Sequence, residues 1–318
     1  MAVEGRPSRA SEHGAAPTDR GAYARYRLGA ALFRALPRPA ALVLGGNLGL
    51  LAGMLDRAQR GVVADNLAHV LGKDISPAKL AHTVRRAYVA YGRYWAEAAR
   101  LRPGDLEMFE RSWSIEGSEH LFQAAKEQKG VILALPHVGT WEVGGMWSAS
   151  VGVPLTAVAE RLQPEALFDW FVAGRRALGI EVLALNPHIA TELTTILRAG
   201  GAVALLSDRD VAGDGLEVEF FGERTRLPAG PAVLALRTGA ALLPCAVLEA
   251  PGRRHRAIVC PPLVVERRGR LREDAERITQ ALAHELEALI RRHPEQWHVF
   301  QPNWPSVQSA ADRRAKRR

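Results

Sequence analysis

The sequence predicts an α/β fold: a single domain with a central, mostly parallel β-sheet flanked by helices, and with N-terminal helices placed for a membrane or a groove. Three observations predict it. From Val131 onward, short apolar runs alternate with amphipathic helical patterns, the order that builds a parallel sheet. The runs are near-continuously apolar, as strands covered on both faces are. The chain has 318 residues, 47% of them apolar, enough for one large core.

Residues 1–20 are polar, without the apolar run of a cleavable signal, and read as a disordered leader. The predicted domain covers residues 21–305, and residues 306–318 form a basic tail ending in Arg313, Arg314, Lys316, Arg317 and Arg318. Tyr23–Leu36 sets Tyr26, Leu28, Leu32, Phe33 and Leu36 among Arg25, Arg27 and Arg34. Ala40–Leu55 is uncharged but shorter than the ~20 residues of a spanning helix. Its glycines weaken a helix while permitting close packing. Both segments suit helices that pack on the core or lie in a membrane interface, with arginines meeting lipid phosphates. Ser76-Pro77 caps the next helix, along which Leu80, Val84, Tyr88, Tyr91 and Trp95 recur at helical spacing. That stripe suits a core face and equally the wall of an acyl-chain groove.

A strand at Trp113–Ile115 and a helix at Ser118–Gln128 precede the alternating region. Further strands are expected at Val131–Leu135, Leu155–Ala159, Val182–Leu185, Val203–Leu206, Leu216–Phe221, Ala241–Leu248 and Arg256–Cys260. Helices are expected at Pro164–Leu178, Ile189–Arg198, Ala229–Thr238 and Glu273–Arg292, the last stopped by His293-Pro294.

The chemistry concentrates at Val131–Gly145, V-I-L-A-L-P-H-V-G-T-W-E-V-G-G. An apolar strand ends at Pro136, Thr140 is placed to cap a helix, and Glu142 falls in its first turn, where the helix dipole favours an acid. His137 then sits at the carboxyl end of a strand, where open α/β sheets place their ligands. On one continuous helix, ~100° of rotation per residue would separate His137 from Glu142. Across a strand-to-helix turn the two can meet, and a carboxylate on an imidazole makes a general base. The same residues also suit an ordinary turn histidine beside an N-terminal helix acid.

Other features carry charge at the sheet edge. Glu160-Arg161 ends a strand, and Arg175-Arg176 closes a helix; an arginine there can hold a phosphate or a developing oxyanion, or make a surface ion pair. Asp208-Arg209-Asp210 follows an apolar strand and suits either a divalent metal, as in glycosyltransferases, or an internally neutralised loop. Glu217 lies on the outward face of the strand Leu216–Phe221, and Arg224 and Arg226 beside Gly222 would suit a phosphate. G-x-S-x-G, H-E-x-x-H, P-loop and G-x-G-x-x-G signatures are absent from the sequence, which disfavours serine hydrolases, zinc proteases, kinases and dehydrogenases. The formal charge of +8 implies an anionic partner. Anionic lipid headgroups, phosphate-rich cofactors and nucleic acid all qualify, and without zinc-finger, helix-turn-helix or RNP-like patterns nucleic acid is the weaker choice. Cys245 and Cys260 lack metal-ligand spacing and fit a reducing compartment.

Three blocks carry a resemblance. H-V-G-T-W-E at His137–Glu142 resembles the H-x4-D/E motif of the lipid A biosynthesis acyltransferase family. S-D-R-D followed by E-V-E-F-F-G-E-R-T-R-L-P-A-G-P and R-T-G-A-A-L-L-P is similar to a second block of that family. H-P-E-Q-W-H-V-F-Q-P-N-W, His293–Trp304, resembles the end of its phosphatidylinositol mannoside acyltransferase branch. The likeness spans Tyr23–Trp304; Glu142 departs from the Asp usual in that branch. The resemblance implies a glycerolipid acyltransferase-like fold and a peripheral enzyme on the cytoplasmic face of the plasma membrane. Such an enzyme transfers a fatty acyl group, typically palmitoyl, from acyl-CoA to the 6-hydroxyl of a mannose on a glycosylated phosphoinositide acceptor. It implies no cofactor beyond acyl-CoA as co-substrate. It also implies His137 as general base with Glu142 as its partner, Glu160 and Arg175 lining the groove, and Glu217 as a further acid. Asp208, Arg209 and Arg224 complete the expected substrate-binding set. The rival readings are a lipid A type lauroyl/myristoyl acyltransferase, a metal-dependent glycosyltransferase using Asp208 and Asp210, and a non-catalytic lipid-binding protein.

Overall fold

A computed structural model describes residues 20–72, 74–105, 113–252 and 254–316; the expected leader, residues 1–20, lies almost wholly outside the described residues. Four helices come first: α1 (Arg20–Ala35), α2 (Arg38–Leu55), α3 (Arg57–Leu71) and α4 (Pro77–Ala98). The sheet region then runs β1 (Trp113–Glu116), α5 (Ser118–Lys126), β2 (Val131–Leu135), α6 (Trp141–Ser150), β3 (Leu155–Ala159), α7 (Glu165–Ala177) and β4 (Ile180–Ala184). It continues through α8 (Ile189–Arg198), β5 (Ala202–Leu206), β6 (Leu216–Phe220), β7 (Glu223–Leu227), α9 (Gly230–Thr238), β8 (Ala241–Ala250) and β9 (Arg254–Val259). Two more helices, α10 (Leu271–Arg292) and α11 (Pro305–Lys316), close the described chain.

Seven strands form one sheet in the order β1-β9-β8-β2-β5-β3-β4. All neighbours pair in parallel except β8 and β9, which are antiparallel. The single α/β domain with a mostly parallel sheet is therefore as the sequence predicts, with a reversed two-strand edge. All five positions of β2 are buried, because helices cover both faces of the sheet at its centre.

The N-terminal helices pack tightly. α2 crosses α4 where Gly45, Gly49 and Gly92 meet; a Cβ on Gly49 would fall 2.1 Å from the Tyr88 carbonyl. By length and composition α2 is also long and apolar enough to cross a membrane, and its other face leaves Val43, Leu51, Met54 and Leu55 exposed. The aromatic stripe on α4 divides between the core and a cavity wall. Tyr88 is buried in the core, while Tyr91 and Trp95 help wall a cavity of about 840 Å³.

Three elements differ from expectation. α3 has a weak amphipathic pattern, yet buries Val62, Val63, Leu67 and Val70 and starts on Asp56, whose carboxylate accepts the Gln59 N–H at 3.0 Å. Residues Glu223–Leu227, read as part of a turn, form β7, paired antiparallel with β6 across Phe221-Gly222. Both turn residues have positive φ, 50° and 77°, the geometry that matches strand twist in a two-residue hairpin. Finally, the C-terminal basic segment is helical. α11 buries Val307 and lays Arg314 on Asp65 of α3 at 2.7 Å.

Candidate active site

Parallel register builds the site. β2 and β5 are neighbours with Leu135 opposite Leu206, so residues two positions beyond each pair emerge side by side at the carboxyl edge. Those residues are His137 and Asp208. The His137 ring Nδ1 lies 2.6 Å from Asp208 Oδ1, and the His137 backbone N–H donates to Asp208 Oδ2 at 2.8 Å. The Trp297 indole N–H donates to the same Oδ2 at 2.7 Å. Asp208 is wholly buried. Burial alone would raise its pKa, but the charge and ring of His137, the Trp297 indole and the His137 backbone N–H hold it below the ordinary value. With the carboxylate accepting from Nδ1–H, Nε2 carries the free lone pair. The ring keeps 22% side-chain exposure and lines the cavity.

The C-terminal W-H-V-F-Q-P-N-W stretch clamps this pair from beneath. His298 N–H donates to the His137 carbonyl at 2.7 Å, Gly139 N–H to the Gln296 carbonyl at 3.1 Å, and Asn303 Nδ2 to the Asp208 carbonyl at 3.1 Å. Gly139 must be glycine: its φ is +65°, and a Cβ there would meet the Val247 carbonyl oxygen at 2.0 Å. Thr140 precedes α6 without a side-chain capping bond, contrary to the expected cap. The backbone N–H groups of Val138, Gly139 and Thr140 are engaged with the carbonyls of Pro136, Gln296 and Val247, so these three offer no oxyanion donor.

The expected His137–Glu142 pair is corrected. Glu142 Oε1 accepts from the Tyr94 hydroxyl at 2.9 Å and from Arg175 at 2.7 Å, and no hydrogen bond joins it to His137. Glu142 sits in the first turn of α6 and looks toward α4 and α7, whereas His137 looks toward β5. Burial works against the charge on Arg175, but Glu142 and Tyr94 more than offset it and raise its pKa.

His137, Glu142, Glu160, Arg175 and Arg209 all line one cavity of about 840 Å³. Its deep walls are apolar, from Leu133, Leu135, Trp147, Leu155, Val182 and Leu193 among others. Near the mouth Arg209 bridges Glu160 at 2.9 Å and Gln301 at 2.7 Å. Glu217 and Arg224 lie elsewhere, which corrects their expected place. Both point outward from the β6–β7 hairpin, Glu217 against Arg226 at 3.5 Å and Arg224 in register with Glu219, and neither lines the cavity. An outward strand position signals exposure, and exposure alone does not say which edge of the fold it faces.

Asp208 and Asp210 do not converge. Both oxygens of Asp210 accept backbone N–H groups, from Gly213 and Gly215 at 2.9 Å, while Asp208 is committed to His137 and Trp297. Among the described residues no group of three or more His, Cys, Asp or Glu side chains is placed to hold a metal ion, so the donor set of a metal-dependent glycosyltransferase is not formed.

Sequence reasoning missed the pairing of Asp208 with His137, together with Trp297 and His298. His298 is buried beside Tyr91, Tyr94 and Trp141, and neither ring nitrogen makes a hydrogen bond of ordinary geometry. Burial, with His137 nearby, lowers its pKa from 6.5 to about 3, so it is neutral. The recurrence of Trp and His in the final block was the available signal.

Comparison with known proteins identifies the family. Residues 20–306 match the model of the bacterial lipid A biosynthesis acyltransferase family. The chain is 38% identical over 287 residues to a phosphatidylinositol mannoside acyltransferase of Mycolicibacterium smegmatis, covering 88% of this chain and 90% of that protein. It is 41% identical over 246 residues to the protein of the same name in Mycobacterium tuberculosis, covering 75% of each. A lipid A biosynthesis acyltransferase of Haemophilus influenzae is 26% identical over 184 residues, 57% of this chain and 55% of that protein. This chain belongs to the bacterial lipid A biosynthesis acyltransferase family.

Proposed function

We propose that this protein is an O-acyltransferase that moves a fatty acyl group, typically palmitoyl, from acyl-CoA to the 6-hydroxyl of a mannose of a phosphatidylinositol mannoside. The observation that carries the reading is His137, oriented by buried Asp208 at the mouth of an apolar cavity of about 840 Å³. The relatives named for that acceptor are markedly more similar, over more of the chain, than the lipid A enzyme, which favours the mannoside over lipid A.

In this mechanism the acyl chain lies along the apolar walls with its thioester near His137. Nε2 takes the proton of the sugar hydroxyl as its oxygen attacks the thioester carbonyl. The C–O bond forms, the C–S bond breaks, and the departing thiolate recovers a proton. A thiol has a pKa of only ~8.5, so the leaving group needs no acyl-enzyme. With the N–H groups of Val138, Gly139 and Thr140 engaged, the cation assigned to the developing oxyanion is Arg175, which lines the same cavity. Carboxylate-fixed imidazole bases of this kind contribute about 10²–10⁴-fold. No cofactor is required.

The N-terminal helices support a peripheral membrane placement, at the cytoplasmic face where acyl-CoA is supplied. α1 and α2 expose Tyr26, Leu28, Leu32, Leu48, Leu51 and Met54 beside the arginines of α1, a combination that suits an anionic lipid surface.

The test incubates the protein with palmitoyl-CoA and phosphatidylinositol mannoside, and follows thiol release together with a one-acyl mass gain on the lipid. Wild type should give both, with EDTA having no effect; His137→Ala should lose about 10²–10⁴-fold while keeping its Tm. Near-normal turnover by that variant would overturn the assignment. Preference for an acylated carrier protein as donor would favour the lipid A type.

A further inference from the structure

Two further hollows lead from the protein surface to the back of the Glu142–Arg175 pair. The outer one, about 380 Å³, is lined by Arg27, Arg34, Arg102 and Trp170. No carboxylate pairs with these three arginines among the described residues. The inner one, about 700 Å³, shares Arg34 and Trp170 with the first and carries Tyr26, Trp95 and Phe171 in its walls. It shares Trp95, Phe171, Glu142 and Arg175 in turn with the cavity that holds His137. Charge, aromatic rings and the catalytic edge thus follow one another in a line.

At the end of that line Glu142 Oε2 is buried without a hydrogen-bond partner, although the residue is only 4% exposed. Tyr94 and Arg175 both use the other oxygen. A buried acceptor left unsatisfied is costly, and Glu142 lines both cavities, from which a ligand hydroxyl would satisfy it.

We propose that the two hollows form the headgroup site for a phosphodiester-linked polyol. The phosphate sits among Arg27, Arg34 and Arg102, the ring system lies against Trp95, Trp170 and Phe171, and a terminal sugar hydroxyl donates to Glu142. The proposal rests on the reading of the acceptor as a glycosylated phosphoinositide, and it assigns that acceptor's polar end. Guanidinium groups match phosphate oxygens in bidentate geometry. The electron-rich faces of the aromatic rings favour the weakly positive C–H faces of sugars and cyclitols. Glu142 then fixes the sugar rather than His137. On the outer side Leu28 is 74% exposed and Leu32 50% exposed on α1, an apolar surface next to the arginines for the lipid tails to meet.

The test uses the full chain and glycerophosphoinositol, the headgroup without tails, titrated by calorimetry. A second arm measures kcat/KM for mannosylated glycerophosphoinositol against mannosylated inositol that lacks the phosphate. The variant is Arg27→Gln with Arg102→Gln, both exposed; Arg34 is left intact because it also bonds the Ala99 carbonyl. Wild type should bind the headgroup and prefer the phosphorylated acceptor, and the double variant should lose about tenfold or more in both, as removal of charge-assisted contacts predicts. Equal binding by variant and wild type, or no binding by wild type, overturns the site. If wild type binds the headgroup but acylates no mannoside, the site stands and the acceptor reading falls. If it acylates both sugars equally well, the site falls and the acceptor reading stands.

Discussion

Two buried carboxylates stand on either side of the same cavity edge, and their partners differ. Asp208, at the end of β5, holds a neutral-capable imidazole and an indole N–H. Glu142, in the first turn of α6, holds a guanidinium and a phenol. Arginine stays charged throughout the accessible pH range, and Tyr94 is pushed well above its ordinary pKa by burial and by Glu142. Neither partner of Glu142 can exchange a proton near neutrality, whereas the partner of Asp208 is an imidazole, the side chain most used as a general base. In the proposed reaction proton transfer falls to the Asp208 side, and the Glu142 side supplies fixed charge and an acceptor. A carboxylate's role follows from the group it orients, since both acids are equally hidden from water.

The sharpest way to break this contrast is Asp208→Asn. The amide keeps the shape but favours the wrong imidazole tautomer, so kcat should fall by about 10⁴, read as thiol release in a single turnover. A loss below tenfold would return the base's partner to some other acid, Glu142 first.

Glu142→Gln probes the other side and should be felt mainly in stability. It leaves Arg175, three-quarters buried, without its counter-charge, at a cost of about 3 kcal/mol in chemical denaturation. Acceptor KM should rise while kcat changes little, because the group binds rather than transfers. A collapse of kcat with normal stability would refute the division of labour.

The smallest effect concerns His298, which lies between the two sides. Its pKa is about 3 in the folded chain against an ordinary 6.5, so between those values the unfolded chain binds the extra proton. Stability contributed by the neutral ring is therefore complete above pH 6.5 and declines as pH falls toward 3. His298→Phe should flatten the fall of Tm over that window by the share this one group supplies. An unchanged Tm–pH curve would mean that the ring is already satisfied in solution.

Much of this protein was determined by local sequence. The apolar runs from Val131 to Val259 and the punctuation between them set the strands and helices of the sheet region, because periodicity and turn chemistry act over a few residues. The strand-to-turn placement of His137 and the apolar neighbourhood of the site were legible for the same reason. Where the sequence reading faltered, local signals were weak or shared: α3 sets polar Asn66 among its buried residues, and β7 alternates charged residues with Thr225 and Leu227 directly after a glycine turn. Tertiary structure alone decided the partner of His137. His137 and Asp208 are 71 residues apart, and nothing within five residues of the histidine says that β5 will lie beside β2. Strand order and register decided it: they align Leu135 with Leu206 and leave the next two positions of each strand facing one another. Glu142, nearer in sequence, starts a helix that turns its side chain toward Arg175, because adjacency along a chain does not survive a change of direction at a glycine.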